Sequence, residues 1–534
     1  MLLVAGMGSH VSAQAVTGVG ADATPLPKGS VRIRVAGIWD GHNEVFGDDG
    51  RRPMFGTLAT PSLGVRQIPQ LTGVEQAIRA LSSNATFGLS LGPLEARGDA
   101  RQAITPMSFD VGLTSRLSIG LVVPYVESRD NAFLILNRNG TGATVGQNPA
   151  YSSTAGAAAR NVNGILLRQL AQSRAQLSAE IARCATASET ACDAVRANPS
   201  GAQQLLLQSL ATQTAIATVY GDSTRAGAPV VPISGSAIQA SINANIAALR
   251  SSFAGFGVTN LADGILPAPA TIVNGPAAIT RILADSAFGL DYARLGGTRR
   301  AGIGDVDLTA TFLWFNTLGA RPAQWLAAKG FGIRSQVTGG WRFGSAGADR
   351  TNDAFDVPIG DGANALLART TTDVVFNRRA WISGTLRVAQ PLGDEVMMRR
   401  PLLVDSLLFV PSVVGAASRT LGRRIDLELA PRLVLGQFFG ISGGYLMRRA
   451  GADRYAFHAT DSLTASTVTT AARTYQAVMA GVTFSTMSSY VRGRSKWPVE
   501  VLYSHAVPIS GSGDAPAVST DRLELRIYTG FPRR

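Results

Sequence analysis

The sequence has little of several things, and each scarcity narrows what the chain can be. It holds two cysteines and four histidines in 534 residues, which leaves no basis for a disulfide-dense scaffold or a Cys/His metal cluster. No apolar run reaches the roughly 18 residues that a membrane-spanning helix requires, so a helical membrane protein is excluded. Charged residues make up 16%, against about 25% in a typical soluble chain. Lysine is nearly absent, with only Lys28, Lys329 and Lys496, so the basic side of the charge balance is almost wholly arginine.

What is there is 46% hydrophobic and rich in glycine, which rules out a largely disordered chain. Lys and Arg number 49 against 36 Asp and Glu, a formal charge of +13. A basic excess calls for an acidic partner. Nucleic acid would require basic clusters interleaved with aromatics, whereas the arginines here lie singly or in pairs such as Arg299-Arg300 and Arg423-Arg424. A lipopolysaccharide surface, or anionic solutes in a pore, fits that scatter better.

The chain opens MLLVAGMGSHVSAQA, an apolar stretch ending in Ala13-Gln14-Ala15, the small-x-small pattern of a secretory signal. Residues 1–15 are therefore read as a signal peptide whose basic start is missing, with the mature chain beginning near Val16. In an exported protein the close pair Cys184 and Cys192 is most simply a disulfide. On one continuous helix the two would stand about 12 Å apart, too far to bridge. A bond thus demands a turn within 185–191; two unpaired thiols are the alternative.

Period two dominates the rest. Leu523, Leu525, Ile527 and Phe531 take one face while Glu524, Arg526 and Tyr528 take the other. Ile425, Leu427, Leu429 and Leu433 oppose Asp426, Glu428 and Arg432; Val306, Leu308, Ala310, Phe312 and Trp314 oppose Asp305, Asp307, Thr309 and Thr311. The segments run to ten residues or more, the length of a tilted bilayer span, and carry aromatics near their ends such as Tyr125, Trp314, Trp341, Tyr445 and Phe531. Short connections alternate with long ones. The expected fold is an all-β transmembrane antiparallel β-barrel, with strands near 30–40, 104–114, 117–128, 303–315, 331–344, 366–376, 380–392, 422–435, 437–448, 473–486, 497–507 and 520–531. That makes about twelve, and fourteen if Thr86–Leu94 adds a further strand. The barrel segments are 16–151 and 291–534. Between them, 152–290 changes to helical spacing (Leu166, Leu170, Leu177, Ile181; Leu205, Leu206, Leu207, Leu210; Ile238, Ile242, Ile246, Leu249, Phe253) and reads as a large, mainly helical extracellular insertion.

In such a barrel Asp110, Asp305, Asp307, Arg334, Arg342, Arg387, Asp426, Glu428, Arg432, Glu500, Glu524 and Arg526 face the lumen. They either pair across neighbouring strands as structure or line a wet channel. A charge on the lipid side would cost roughly 2–4 kcal/mol at the bilayer midplane.

Two stretches, Phe109-Asp-Val-Gly-Leu-Thr-Ser-Arg-Leu-Ser-Ile-Gly-Leu-Val-Val-Pro-Tyr125 and Gly302-Ile-Gly-Asp-Val-Asp-Leu308, resemble the outer-membrane proteins of phenol meta-pathway clusters. That family is similar in turn to the aromatic-hydrocarbon and long-chain fatty-acid outer-membrane transporters. The resemblance covers roughly 104–128 and 303–531. Here Ser115 stands where the family usually has Asp, and Pro-Arg-Arg follows Phe531. The resemblance implies passive uptake of apolar or aromatic molecules; no ligand-contact residue is carried over.

Signals for catalysis are poor. Gly440-Ile-Ser-Gly-Gly444 matches G-x-S-x-G but lies mid-strand instead of at a strand-to-helix elbow. His10, His42, His458 and His505 form no metal-binding spacing. Ser504 and His505 are adjacent on a strand and so point to opposite faces. The expectation is a non-enzyme without metal or cofactor in the bacterial outer membrane: a channel for passive uptake of small hydrophobic or aromatic solutes. Its expected partners are outer-membrane lipid, lipopolysaccharide and the barrel-assembly machinery, with no nucleic acid. The alternatives are a structural or surface-display barrel with a closed lumen, whose insertion binds a partner, and a soluble exported β-protein.

Overall fold

The computed structural model describes residues 22–293, 297–319, 324, 330–347, 350–400, 413–459 and 464–532. The signal-peptide reading of 1–15 and the start at Val16 lie outside the described residues.

Alternating lipid-like and charged side chains give strands with one wet and one apolar face, and such strands are stable in a bilayer only if the sheet closes on itself. It does. The ring consists of β1 (Val31–His42), β2 (Leu94–Gly112), β3 (Leu117–Leu136), β4 (Val306–Asn316), β5 (Phe331–Phe343), β6 (Ala365–Phe376), β7 (Ala380–Pro391), β8 (Arg424–Leu435), β9 (Phe439–Ala450), β10 (Arg473–Ser485), β11 (Val499–Ser512) and β12 (Ser519–Thr529). Each strand pairs antiparallel with its neighbours in sequence. The last pairs with the first from Val31↔Thr529 to Gly41↔Ser519, so the ring has no edge. The twelve expected segments are all strands. The further strand considered at Thr86–Leu94 does not form: Leu89 donates its N–H to the Glu75 carboxylate at 2.7 Å, and Phe87, Leu89 and Leu91 are buried in a helical core.

The strand expected at 303–315 runs from Val306 to Asn316, and a break at 304–305 separates it from a further strand. Thr298–Ile303 is an extra strand that pairs only with the upper part of β3. At the break Gly304 donates to the Pro124 carbonyl at 2.9 Å, and Asp305 accepts the N–H groups of Ala346 (3.0 Å) and Asp361 (2.8 Å). Pro431 also leaves its mark, because pairing of β8 with β9 stops after Leu429 and resumes at Arg432.

Leu523 is 46% exposed on the outside of β12 and Glu524 beside it 2%. The same contrast runs round the ring. At the short-turn end, Phe331 meets Phe376 at 5.8 Å and Phe439 meets Phe484 at 5.5 Å between ring centroids, an aromatic girdle at the edge of the apolar band. Phe531 does not join it. After Gly530 turns at φ +64°, Phe531 is buried beneath the barrel against Leu26, Tyr490 and Tyr528.

At the other end β2 and β3, 19 and 20 residues long, rise above the rest of the wall and carry a helical unit. Its helices are α1 (Thr72–Ser82), α2 (Gly156–Cys184), α3 (Asp193–Ala197), α4 (Pro199–Tyr220), α5 (Ala237–Gly255) and α6 (Pro276–Ala284). Leu166, Leu170 and Leu177 of α2, Ile216 of α4, and Ile242, Ile246 and Phe253 of α5 close on one another, with Ile78 of α1 in the same core. Caps fix the ends: Asn198 accepts the Gly201 N–H and Ser236 the Gln239 N–H. The turn after α4 is held by Asp222, whose carboxyl is kept well below the usual range by hydrogen bonds from Thr224 and from the Arg225 N–H. None of the described helices is long and apolar enough to cross a membrane.

Cys184 and Cys192 are bonded, with α2 ending between them in a turn. Replacing both by serine is expected to destabilise this helical unit by about 2–3 kcal/mol. Faster proteolytic cleavage at 185–191, with an unchanged barrel melt, is the readout. Parts of the long connections after β7 and after β9 pair into a four-stranded sheet (Asp394–Arg399, Val414–Thr420, Arg454–Phe457, Ser466–Thr469). Arg399 ties that sheet to the helical unit, its guanidinium 3.8 Å above the Tyr292 ring and donating to the Asp291 carbonyl at 2.9 Å.

Candidate functional site in the barrel lumen

Inward positions of successive strands fall side by side, so charges of opposite sign meet across the wall. Arg342 of β5 forks onto Asp307 of β4 at 2.7 and 2.9 Å. Arg334 holds Asp373 at 2.6 Å, and Ser383 donates to the other oxygen of that carboxylate at 2.7 Å. Arg387 holds Glu428 at 2.6 Å. Asp110 receives Arg32 at 3.0 Å and Arg34 at 3.2 Å. Glu524 takes Arg526 at 2.6 Å and also Arg522. Glu500 accepts the Tyr528 hydroxyl at 2.7 Å, and Arg448 stands 3.9 Å from Asp426. Asp305 departs from the sequence expectation: it lies in the break before β4, and its carboxylate is turned to the backbone of the loop after β5.

The segment leading into β1 runs inside this ring at its short-turn end. Asp22 accepts Arg432 of β8 at 3.1 Å and lies 3.8 Å from Arg526 of β12, while its carbonyl accepts Gln336 of β5 at 3.1 Å. Ala23, fully buried, donates its N–H to Asp373 of β6 at 3.0 Å. β6 and β12 stand opposite each other in a ring of twelve, so two consecutive residues span the cross-section. Leu26 fills the space below, against Tyr490, Tyr528 and Phe531.

A second closure comes from above. The connection between β5 and β6 sets Ala346 and Ile359 on an apolar inner strip of Ile38, Ile104, Val122 and Val126 from β1, β2 and β3. Its Asp361 reaches across to Arg424 of β8 in a two-point ion pair at 2.5 and 2.6 Å. Its Phe355 meets Phe55 of the helical unit, ring centroids 5.0 Å apart. Within the ring is a cavity of about 90 Å³ bounded by Arg34, Asp110, Val122, Asp307, Arg342 and Arg369, among others.

The sequence reading omitted Arg32, Arg34, Arg369, Asp373, Arg424 and Arg522 from the inner face. Arg32 and Arg34 were signalled by alternation with Val31, Ile33 and Val35. Asp22 had no such signal.

None of these arrangements suits covalent chemistry. Gly440–Gly444 lies within β9. His505 pairs with Asp521 at 2.9 Å on the exposed face, and Ser504 points the other way. Ser418 lies 3.2 Å from His458 Nε2, and Glu395 approaches that same nitrogen at 3.8 Å; among the described residues no carboxylate is paired with the other ring nitrogen. Among the described residues no group of three His, Cys, Asp or Glu side chains is placed to hold a metal ion.

An apolar outer belt, a charged inner face and complete strand pairing define a membrane-spanning β-barrel of the bacterial outer membrane. No family model matches the chain, and no curated protein matches it. Among solved structures it is similar to an outer-membrane channel from Pseudomonas putida F1, at 8% identity over 96% of this chain and 100% of that one, with a TM-score of 0.42. It is also similar to the toluene transporter TbuX of Ralstonia pickettii (10% identity, 98% of each chain, TM-score 0.26). A Pseudomonas aeruginosa FadL homologue aligns at 9% identity over 99% of this chain and 98% of that one, with a TM-score of 0.25.

Proposed function

We propose that this barrel is a gated channel through which small apolar or aromatic solutes cross the outer membrane by passive diffusion. The observation that carries this reading is the inner strip of Ile38, Ile104, Val122 and Val126. It lies on the lumen side of a wall whose other inward positions are mostly polar or charged, and Ala346 and Ile359 pack on it. Both closures are loops held by ion pairs and side-chain packing, so each can move without breaking the strand ladder. The resemblance at 109–125 supports the same solute class.

The test is flux into proteoliposomes, comparing phenol with glycerol. The expected result is faster phenol permeation through the barrel, reduced several-fold by Val122→Thr/Val126→Thr with glycerol flux unchanged. Equal flux of the two solutes above protein-free liposomes would overturn the solute class.

A closed structural barrel whose helical unit binds a partner is the second reading, favoured by the presence of a closure at each end. No flux of either solute, in the full chain or without residues 22–30, would select it.

A further inference from the structure

The outer face carries a feature that the lumen reading does not use. Arg101 of β2 is directly opposite Arg129 of β3, and Arg129 is directly opposite Arg299 of the extra strand Thr298–Ile303. Three guanidinium groups therefore stand in one row across three neighbouring strands. Like charges placed opposite each other on a sheet destabilise it unless an anion sits between them. All three point outward: Arg101 shares its face with Phe109 and Met107, Arg129 with Leu121 and Tyr125, and Arg299 with Ile303, all exposed. The Arg101 and Arg299 side chains are 81% and 68% exposed.

The height of the row is informative. Arg101 is eleven residues up β2 from Gly112. At ~3.3 Å per residue and a tilt of ~40° it lies about 28 Å above the short-turn end, just clear of an apolar band ~25 Å tall. Tyr125 and Trp39 are exposed immediately below it, at the level where aromatics mark the boundary between acyl chains and headgroups. Gly41, opposite Arg101 on β1, leaves open space on that flank.

The charge is not cancelled locally. Glu127 pairs with Arg299 at 2.7 Å and Asp99 lies 3.9 Å from Arg101. Arg97, further up β2 on the same face, lies 5.9 Å from the centre of the Phe133 ring. Four arginines against two carboxylates leave a net of +2, and Arg129 makes no ion pair with any described residue. The row faces the outer leaflet, whose lipopolysaccharide carries phosphates at this depth. We infer that Arg101, Arg129 and Arg299 form a binding site for the phosphate groups of lipopolysaccharide on the outer wall of the barrel. The site is independent of whether the lumen conducts.

The experiment is native mass spectrometry of the full chain in detergent, titrated with bisphosphoryl lipid A, with lipid A stripped of its phosphates, and with phosphatidylglycerol. One bisphosphoryl lipid A is expected per chain, at least about tenfold tighter than either competitor and weakened by salt. R101Q/R129Q/R299Q is expected to lose that preference. Arg129→Gln alone, which breaks no ion pair and so leaves folding intact, is expected to weaken binding about threefold or more. Undiminished binding by both variants would overturn the site. Phosphatidylglycerol binding as tightly as lipid A would overturn the assignment to lipopolysaccharide.

Discussion

Deleting residues 22–30 is expected to convert a barrel of low conductance in planar bilayers into one with steady conductance, higher by about tenfold or more. Asp22 and Ala23 touch β5, β6 and β8 and approach β12 within 3.8 Å, bridging opposite sides of the ring. No water-filled path wide enough for hydrated ions is expected beside them. Their removal takes the Asp22 carboxylate away from Arg432 and Arg526, where water replaces it. Asp22→Ala is expected to give an intermediate, flickering conductance, because the Ala23 contact to Asp373 and the Leu26 packing remain. Unchanged conductance after the deletion would show that the loop 344–364, and not this segment, limits passage.

Glu524→Gln is expected to cost about 3–5 kcal/mol of barrel stability, the range for breaking a buried ion pair from one side. Glu524 is 2% exposed and holds Arg522 and Arg526 together. A neutral amide of the same shape leaves the Arg522 guanidinium buried with no other carboxylate in contact among the described residues, while Arg526 keeps Glu500 and Asp22 at 3.8 Å. Glu95→Gln is the control. Glu95 pairs with Arg138 at 2.8 Å, but the side chains are about half exposed (54% and 51%), so its loss is expected to leave the unfolding midpoint almost unchanged. Urea midpoints of the protein refolded into lipid vesicles check both; equal shifts would show that the inner-wall pairs are as well hydrated as surface ones.

The ring was legible because a bilayer outside and water or charge inside impose the strictest alternation a strand can carry. β4, β8 and β12 show it residue by residue. β6 shows why site residues were missed even where the strand was found: Thr370 and Thr372 occupy outward positions and Leu367 and Val375 inward ones, so the alternation around Arg369 and Asp373 is blurred. The helix α1 repeats Val74, Ile78 and Leu81 at helical spacing, but it is short and lies in a segment read as barrel strands and loops, so the reading missed it. The two closures were not legible. Asp22 is placed by Arg432, 410 residues further on, and Asp361 by Arg424. A period describes a segment against its own surroundings, and it carries no information about an ion pair that forms only once the ring exists. The same limit hid the four-stranded sheet, whose strands belong to two separate loops.

The pairing of β1 with β12 has a consequence for how the molecule is made. Every other seam joins strands that follow one another along the chain, whereas this one joins residues 31–41 to 519–529. Until this seam closes, the partly folded sheet has two bare rows of backbone donors and acceptors, which invite pairing with another unfinished copy. A message truncated before Ser519 thus encodes an aggregation template instead of a narrower pore. Completion of the barrel thus waits on β12, whose pairing with β1 removes both edges at once.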